Sequence, residues 1–538
     1  MKVRSLNVLE DDLKKFITNP ETTNDLRQAV KMAGEILVHD KKSNYANYAI
    51  ALHEVAYANK LAPLSDFTKA IKLLEKIIEN DPKFIEAYLM LAKIFKETDR
   101  NKEVKILSEA NVQFPDNYLI MYDLGMTKLF GTGEKEEALY LFSKCVEKLP
   151  QIANAWACLG TAYIMNRELE MGKTCFETAL SIDPKQFNSM LGLGVYHFEC
   201  GNFVKAREFY DRSLMVNKNS YYASFNIGIL EMLEGKYEIG LKIHEKRDKD
   251  SILNRYGGKG YIEMQKEDVK KGDNKKIVVI KEQGYGDDIM FSRYLKPLSE
   301  LGYEITFAAH PEMIKLLKAS PDLDNVNIVH SLPEADPSTF DFRTFSMSIP
   351  YLMQDFLFAK PKPLNIDVSR IDTKKLNLST LIKRELNKKN LKVGISWSGN
   401  PKHWRDKNRS IPLELFSELF SLDKVNFFAL QKVINKNDEK FIENKKNVIN
   451  TSDTLHDFLH TAYLASRMDY IFTVDTSLVH LAGSINKKTY LFCPKVPDWR
   501  WGLKEKQQWY PSVNLLRQKK VGNWDLPIKN AINLLKNK

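Results

Sequence analysis

Cysteine is scarce, with five residues in 538: Cys145, Cys158, Cys175, Cys200 and Cys493. That is too few for a disulfide scaffold in a chain this long. No two form a CxxC pair, and no Cys/His cluster has the spacing of a zinc site. The thiols therefore read as reduced and buried. Long hydrophobic runs are also missing, since no stretch reaches the roughly 20 apolar residues that cross a bilayer. The start, MKVRSLNVLEDDLKKF, interrupts its apolar residues with charges and lacks the apolar centre of a secretory signal. These absences place the chain in the cytoplasm. Charge of one sign is in small excess, with 80 Lys+Arg against 69 Asp+Glu and a formal net charge of +11. Nucleic-acid proteins concentrate such an excess in a stripe or arm. Here it is dispersed among acids, so nucleic acid is not the expected partner. An anionic small ligand such as a nucleotide diphosphate is. There is no Walker A sequence and no GxSxG elbow.

What is present is ordinary globular composition, 43% hydrophobic and 28% charged. At roughly 150 residues per domain the length implies three or four domains. Two segments, ANAWACLGTAYIMNRELEMGKTCFETALSIDP and FNSMLGLGVYHFECGNFVKAREFYDRSLMVNK, align 34 residues apart. The first sets Trp156, Leu159, Gly160, Tyr163, Phe176, Ala179 and Pro184 at tetratricopeptide (TPR) positions, with Gly172 where alanine is usual. The second repeats Leu193, Gly194, Ala206 and Tyr210, with Lys218 in place of the closing proline. Glycine lets paired helices approach, large residues fill between pairs, and proline starts the next unit. Weaker copies carry Ala70, Pro82, Tyr88, Leu91 and Phe95, then Leu124, Gly125, Ala138, Phe142 and Pro150, and finally Ile227, Gly228 and Gly240. The pattern predicts about five repeats over 61–250, behind a helical cap at 1–60. The array resembles TPR domains, whose concave groove binds peptides. Its lining here would be Asn154, Met165, Asn188, Leu191, Val195, Phe198, Phe225 and Met232. Such an apolar lining suits an amphipathic partner helix, or else these residues pack against neighbouring helices.

Residues 251–275 carry glycine and charge, lose the helical period and read as a linker. Short apolar runs then alternate with amphipathic segments, the pattern of parallel sheets covered by helices. The expected strands are KKIVVIKEQ, EITFAA, VNIVH, LKVGISWSG, VNFFALQK, MDYIFTV and KTYLFCP. The expected helices are DDIMFSRYLKPLSELG, PEMIKLLKAS, IPLELFSELF, TLHDFLHTAYLASR and TSLVHLAGSIN. A proline-bearing interruption, 359–372, divides the series. The reading is two Rossmann-like lobes, 276–365 and 366–538, with ligand in the cleft at the strands' carboxyl ends.

Four segments could carry chemistry. In EQGYGDD (282–288), Gly284 and Gly286 permit a tight turn, but Ile289 stands where a dinucleotide fingerprint needs its third glycine. Asp287 at the helix start would repel a pyrophosphate, so NAD and FAD are excluded from this lobe. Asp287 is either a helix N-cap or a general base. In WSGNPKHWRDKNRSIP (397–412), Lys402, His403, Arg405, Lys407 and Arg409 cluster on one loop. It is either solvated or built for phosphate, and Ser410 is placed to cap the next helix. In FTVDTSLVHLAG (472–483), a strand runs through Asp475, Thr476 and Ser477 into a helix whose free N–H groups suit an anion. His480 follows one turn later. In PDWRWGLKEKQQWYPS (497–512), Trp499, Trp501 and Trp509 either stack on a ligand or pack inward. The Asp322-Leu323-Asp324 match to a metal-binding DxD reads as a turn.

Together GYGDDIMFSRYL, GISWSGNPKHWRDKNRSIP, VDTSLVHLAG and PDWRW followed by WYPS resemble glycosyltransferases of the heptosyltransferase type, with the two-lobed GT-B fold. The resemblance covers about 276–538. The whole layout, an all-α TPR solenoid followed by an α/β GT-B fold, is similar to bacterial TPR glycosyltransferases, some of which modify flagellin, and to O-GlcNAc transferase. The resemblance implies that Gly286-Asp287 carries the base for the acceptor hydroxyl, that Arg409 contacts the diphosphate in place of the commoner lysine, and that Asp475, Thr476 and His480 bind the donor's phosphates and sugar. Asn400, Lys407, Ser410 and Ser477 complete the expected donor site. Asn154, Asn188, Leu191, Phe198 and Phe225 form the expected acceptor groove. It implies sugar transfer from a nucleotide-sugar, without metal or other cofactor and leaning towards inversion, to a hydroxyl of a protein. The alternatives are a non-catalytic TPR scaffold and a transferase acting on a glycan or lipid. TPR arrays also self-associate, so a homo-oligomer is open.

Overall fold

Small residues decide how closely the helices pair. A Cβ on Gly160 would lie 2.7 Å from the Phe176 ring and 3.0 Å from the carbonyl oxygen of Gly172. The carbonyl of Gly160 returns the same approach to Gly172. Gly172 therefore departs from the usual alanine because this pair packs backbone to backbone. Gly228 and Gly240 repeat the device in the last pair. The computed structural model describes residues 6–18, 23–60, 66–257, 260–270, 272, 274–332, 339–353, 362–372, 376, 378–401 and 403–537. It divides into two compact units, 1–196 and 197–538.

The first unit is a TPR-like helical solenoid. Its helices are Leu6–Thr18, Thr23–His39, Asn44–Lys60, Thr68–Asn80, Ile85–Thr98, Arg100–Gln113, Tyr118–Met126, Lys135–Lys148, Ala153–Met165 and Leu169–Ile182, with Phe187–Glu199 crossing the unit boundary. Asp99 caps Arg100–Gln113 by accepting from the N–H groups of Asn101 and Lys102. Pro82, Pro150 and Pro184 stand in the turns. One continuous apolar core runs from Leu13 and Ile36 through Leu91 and Phe142 to Cys175. The expected cap at 1–60 therefore shares the core of the repeats. Between Tyr118–Met126 and Lys135–Lys148 lies a π-helical turn, Thr127–Thr132.

The second unit holds the last repeat helices, Phe203–Val216, Tyr221–Leu233, Tyr237–His244 and Lys249–Tyr256, and two parallel sheets. The first sheet contains β1 (Lys276–Ile280), β2 (Glu304–Ala308), β3 (Val326–Val329) and β4 (Phe342–Phe345), ordered β3-β2-β1-β4. The second contains β5 (Leu391–Ser396), β6 (Val425–Ala429), β7 (Val448–Asn450), β8 (Tyr470–Val474), β9 (Thr489–Cys493) and β10 (Val513–Arg517), ordered β10-β9-β8-β5-β6-β7. Every strand pairing in both is parallel. The order reverses on either side of β1 and of β5, and such switch points open a crevice at the strands' carboxyl ends. Both sheets are covered on both faces, so β1, β6 and β9 are buried along nearly their whole length.

Several expectations differ in detail. The helix expected after β1 breaks into Tyr285–Phe291, a 3₁₀ turn at Ser292–Tyr294, and Leu295–Glu300. The Ser292 hydroxyl donates to the Asp288 carbonyl, and Pro297 has no N–H to continue the ladder. The helix expected at 411–420 is two 3₁₀ turns, Leu413–Phe416 and Leu419–Ser421. Leu413, Phe416 and Leu419 still bury one face, because a spacing of three aligns side chains in a 3₁₀ turn. The segment read as a linker pairs with the first sheet: the Met264 N–H donates to the Arg343 carbonyl at 2.8 Å and the Arg343 N–H to the Ile262 carbonyl at 2.7 Å. The interruption at 359–372 is described only from residue 362. Four cysteines are buried, and burial pushes the thiols of Cys145 and Cys175 up to about 11 and those of Cys158 and Cys493 up to about 12. Cys200 is exposed, against expectation, because the chain turns there through Gly201 at positive φ.

Candidate functional site: the cleft between the two lobes

The two sheets meet through helices that follow their strands. Gly286, in the first turn of the helix Tyr285–Phe291 that follows β1, lies against the helix Ser477–Ser484 that follows β8. A Cβ there would meet the His480 ring at 2.8 Å and Ser477 Cα at 3.6 Å, so only glycine allows this approach. Asp287 has both carboxylate oxygens engaged. Oδ2 accepts from the Gly284 N–H at 3.0 Å, and Oδ1 is ion-paired with Arg500 from the loop after β9. Asp287 is thus not the N-cap, which is Gly284, but the third helical residue, reaching back to the Gly284 N–H. Burial pushes its carboxyl up, and the Arg500 charge opposes that push.

Arg500 is buried and also reaches Asp498 Oδ1 at 2.8 Å, while its guanidinium stacks 4.5 Å from the Trp499 ring centre. Burial works against ionisation of Asp498, yet Arg500 holds it below the usual carboxylate range. Asp475, at the end of β8, is pushed up to about 6 by burial and by the Asp498 charge. His480 is pushed down to about 3 by burial and by Arg500 and Arg293. Its imidazole is therefore neutral at physiological pH, with Nδ1 hydrogen-bonded to the Tyr510 hydroxyl at 3.0 Å. It can exchange hydrogen bonds with a ligand, but it brings no positive charge.

The loop after β5 supplies a second cation. Arg409 donates from NH1 to the Asp475 carbonyl at 2.8 Å and from Nε to Asp406 Oδ1 at 3.0 Å. Asp406 Oδ2 accepts from the Ser410 hydroxyl at 2.8 Å, and that hydroxyl accepts from the Gly399 N–H at 3.0 Å. Ser410 therefore braces its own loop, ending the short helix Asp406–Arg409 rather than capping the next one, since a 3₁₀ turn follows. A Cβ on Gly399 would sit 2.3 Å from Asp406 Oδ1 and 2.6 Å from Arg409 NH2, so a larger residue would have to displace the Asp406–Arg409 pair. The far end of the loop is held by the buried Glu199, which pairs with Arg405 at 3.0 Å and accepts from the Asn408 amide at 2.6 Å.

The structure thus brings together Gly286, Asp287, Arg409, Ser410, Asp475, Thr476, Ser477 and His480. Thr476 and Ser477 are half-buried at the open start of Ser477–Ser484, and the Thr476 side chain makes no capping bond there. Asn400 and Lys407 are exposed on the outer part of their loop. Lys402 lies outside the described residues. Trp499, Trp501 and Trp509 pack inward: Tyr237 meets Trp499 and Trp509 edge-on at 6.1 and 5.3 Å. Asp322 pairs with Lys296 at 2.9 Å and Asp324 with Arg370 at 2.6 Å. Among the described residues no group of three or more His, Cys, Asp or Glu is placed to hold a metal ion.

Of the expected groove residues, Asn154, Asn188, Leu191 and Phe225 are half-buried. The Asn154 side-chain Oδ1 accepts from the Gln186 amide at 3.3 Å, and Phe225 packs against His244 at 5.5 Å. Phe198 leaves the groove: it is buried against Phe203 and beneath Arg405. Met232 is fully buried against Gly240. The causes differ: the loop carrying Arg405 covers Phe198, whereas Met232 fills the space inside its own helix pair. Sequence reasoning missed Arg500 and Asp498, hidden within the tryptophan-rich loop, and Glu199, which shows no local signal.

No helix among the described residues is long and apolar enough to cross a membrane. The tetratricopeptide repeat family model matches residues 153–186. Superkiller protein 3 of Schizosaccharomyces pombe is 24% identical over 178 residues, which is 33% of this chain and 11% of that protein. Protein O-mannosyl-transferase TMTC1 of Mus musculus is 22% identical over 197 residues, 36% of this chain and 17% of that protein. The chain thus spans less than a fifth of the length of either relative. The crystal structure of MamA covers 30% of this chain and 94% of its own at 22% identity, with a TM-score of 0.27. The second of these relatives is named as a protein O-mannosyl-transferase.

Proposed function

We propose that this chain transfers a sugar from a nucleotide-activated donor to an acceptor hydroxyl in the cleft between its two α/β lobes. The acceptor is a protein, for example flagellin, bound by the TPR repeats. One observation carries the reading: three loops from the carboxyl ends of β5, β8 and β9 place Arg409, an open helix start and Arg500 around Asp475, with Asp287 of the first lobe against Arg500. Transfer needs a stabilised leaving diphosphate, and fixed cations and helix N–H groups are the means to hold it. The partial likeness to a protein O-mannosyltransferase lends support. In this reading Asp287 anchors Arg500 at the leaving group, and neutral His480 bonds the donor's sugar or phosphate oxygens.

A thermal-shift screen against UDP, GDP, ADP and CMP and their common sugar conjugates tests donor binding. A ligand at about 100 times its Kd adds roughly 2.7 kcal/mol. One nucleotide class should shift the melting temperature, and Arg409→Ala should lose that shift. No shift with any donor in folded protein would leave the scaffold reading. Transfer to a glycan or lipid, with none to protein, would reassign the acceptor.

The raised Asp475 carboxyl gives a second test. Below about pH 6 it is protonated, and above that it places a negative charge beside the anion site. Affinity for a sugar nucleotide, whose diphosphate carries fixed charge in this range, should therefore rise as pH falls through about 6. Titration calorimetry should show that rise in the wild type and its loss in Asp475→Asn. An affinity that does not respond to pH would count against this placement of the donor.

A further inference from the structure

We infer that the proton leaving the acceptor hydroxyl is taken by His310, held in place by Asp288. This rests on the transferase reading above. The residue that the family resemblance would make the base, Asp287, has one carboxylate oxygen on Arg500 and the other on the Gly284 N–H. The next residue is differently placed. Asp288 is fully buried, and its Oδ2 accepts from both the backbone N–H of His310, at 2.9 Å, and the ring Nδ1–H, at 2.7 Å. Two bonds to one oxygen fix both the backbone and the ring. With Nδ1 committed as a donor, Nε2 carries the lone pair. Nε2 makes no hydrogen bond among the described residues.

Position agrees with chemistry. His310 follows β2 and Asp288 follows β1, which are neighbours in register, Ile280 beside Ala308. Both therefore stand at the carboxyl edge of the first sheet, beside Asp287. The strand ends are pinned by Lys281, whose Nζ donates to the carbonyls of Ala309 and His330 at 2.9 and 3.2 Å. Tyr285 is 37% exposed and lies edge-on both to His310, at 5.2 Å, and to Phe458 of the second lobe, at 5.2 Å. Tyr285 thus links His310 to the second lobe, and the His310 side chain keeps 16% of its surface open. A carboxylate that orients an imidazole and stabilises its charged form is the arrangement a general base needs. In the step, the acceptor oxygen bonds to the anomeric carbon and its proton passes to Nε2 of His310. The bond from that carbon to the diphosphate breaks, and the electron pair leaves with the nucleotide.

Release of nucleotide from UDP-, GDP- and ADP-sugars, with water as the acceptor, measures the step without an identified protein substrate. His310→Gln should lower kcat about 100-fold or more, leave the donor-induced thermal shift in place and remove the acid limb of the rate profile. Asp288→Asn should keep the fold and displace that limb. Asp288, Tyr285, Lys281, Tyr256 and Glu312 are the titratable groups around the ring. If His310→Gln misfolds, His310→Ala assayed with added imidazole replaces it, and recovery of rate is the expected result. A wild-type rate and an unchanged acid limb in the His310 variants would overturn the assignment, as would loss of that limb in Asp287→Asn alone. An inactive wild type would overturn the transferase reading itself and this inference with it.

Discussion

Replacing Arg247 with methionine should destabilise the second unit by about 3–5 kcal/mol. Arg247 and Glu282 are both buried, and the guanidinium meets both carboxylate oxygens, at 2.6 and 2.9 Å. The same arginine donates to the Ser348 hydroxyl at 2.7 Å and to Glu245 at 2.8 Å, while Glu282 also accepts from the Met347 N–H. This network ties the end of the last repeat to the first lobe. Removing the arginine leaves a buried carboxylate without its cation. Burial already pushes the Glu282 carboxyl up, and Arg247 is the main opposing influence. A raised carboxyl makes the folded state the stronger proton binder, so stability falls as pH rises through that pKa. The deficit of the variant should therefore be larger in mildly alkaline than in mildly acidic buffer. Denaturant titration followed by tryptophan fluorescence reads this directly, since only Trp156 of the seven tryptophans lies outside the second unit. A loss below about 1 kcal/mol, or one indifferent to pH, would show that the pair is not an isolated buried charge pair.

The second large effect concerns rate. Asp287→Ala and Arg500→Ala should each reduce sugar transfer by about 100-fold or more, the usual loss when one preorganised donor to a developing anion is removed. The double variant should be scarcely worse than either single one, because the two side chains act as a unit. Donor binding should survive Asp287→Ala, since Arg409 and the helix start at Ser477 belong to other loops. Steady-state kinetics of all three variants, with thermal shifts as the binding control, make the comparison. Losses that multiply would mean that Asp287 and Arg500 act independently, and the anchoring role would fall.

The repeats were legible because Trp156, Gly160, Phe176 and Pro184 recur at a fixed period and each answers a packing need. Most strands were legible as apolar runs bounded by polar turns. The strands β4, β7 and β10 were not, since FRTF, VIN and VNLLR are too short or too mixed to stand out. The groove residues show the limit of periodicity. It identifies Phe198 and Met232 as apolar positions on a helix but not the surface that covers them. Asp287 and Asp475 drew notice because each follows a strand and stands at a helix start, and Arg409 because it lies in a cluster of basic residues. Arg500 was not, although its sequence neighbours drew notice. Its partner Asp287 lies 213 positions away, and a pairing that distant is decided only once both sheets are built. The Asp288–His310 contact has the same origin in neighbouring parallel strands.

The π-helical turn at Thr127–Thr132 bears on the history of the repeat array. Gly125 and Gly160 are separated by 35 residues, whereas Gly160 and Gly194 are separated by 34. A widened turn accommodates one extra residue inside a helix, and the unit holding Gly125 keeps its glycine–aromatic contact, Gly125 on Phe142, despite the altered count. Lys128 Nζ steadies the widened turn through Glu134 and Glu137 at 2.7 and 2.8 Å. The extra residue that a loop would ordinarily hold lies here within a helix. This unit can therefore gain or lose one residue without shifting the frame of its neighbours, a tolerance that a strictly periodic solenoid lacks.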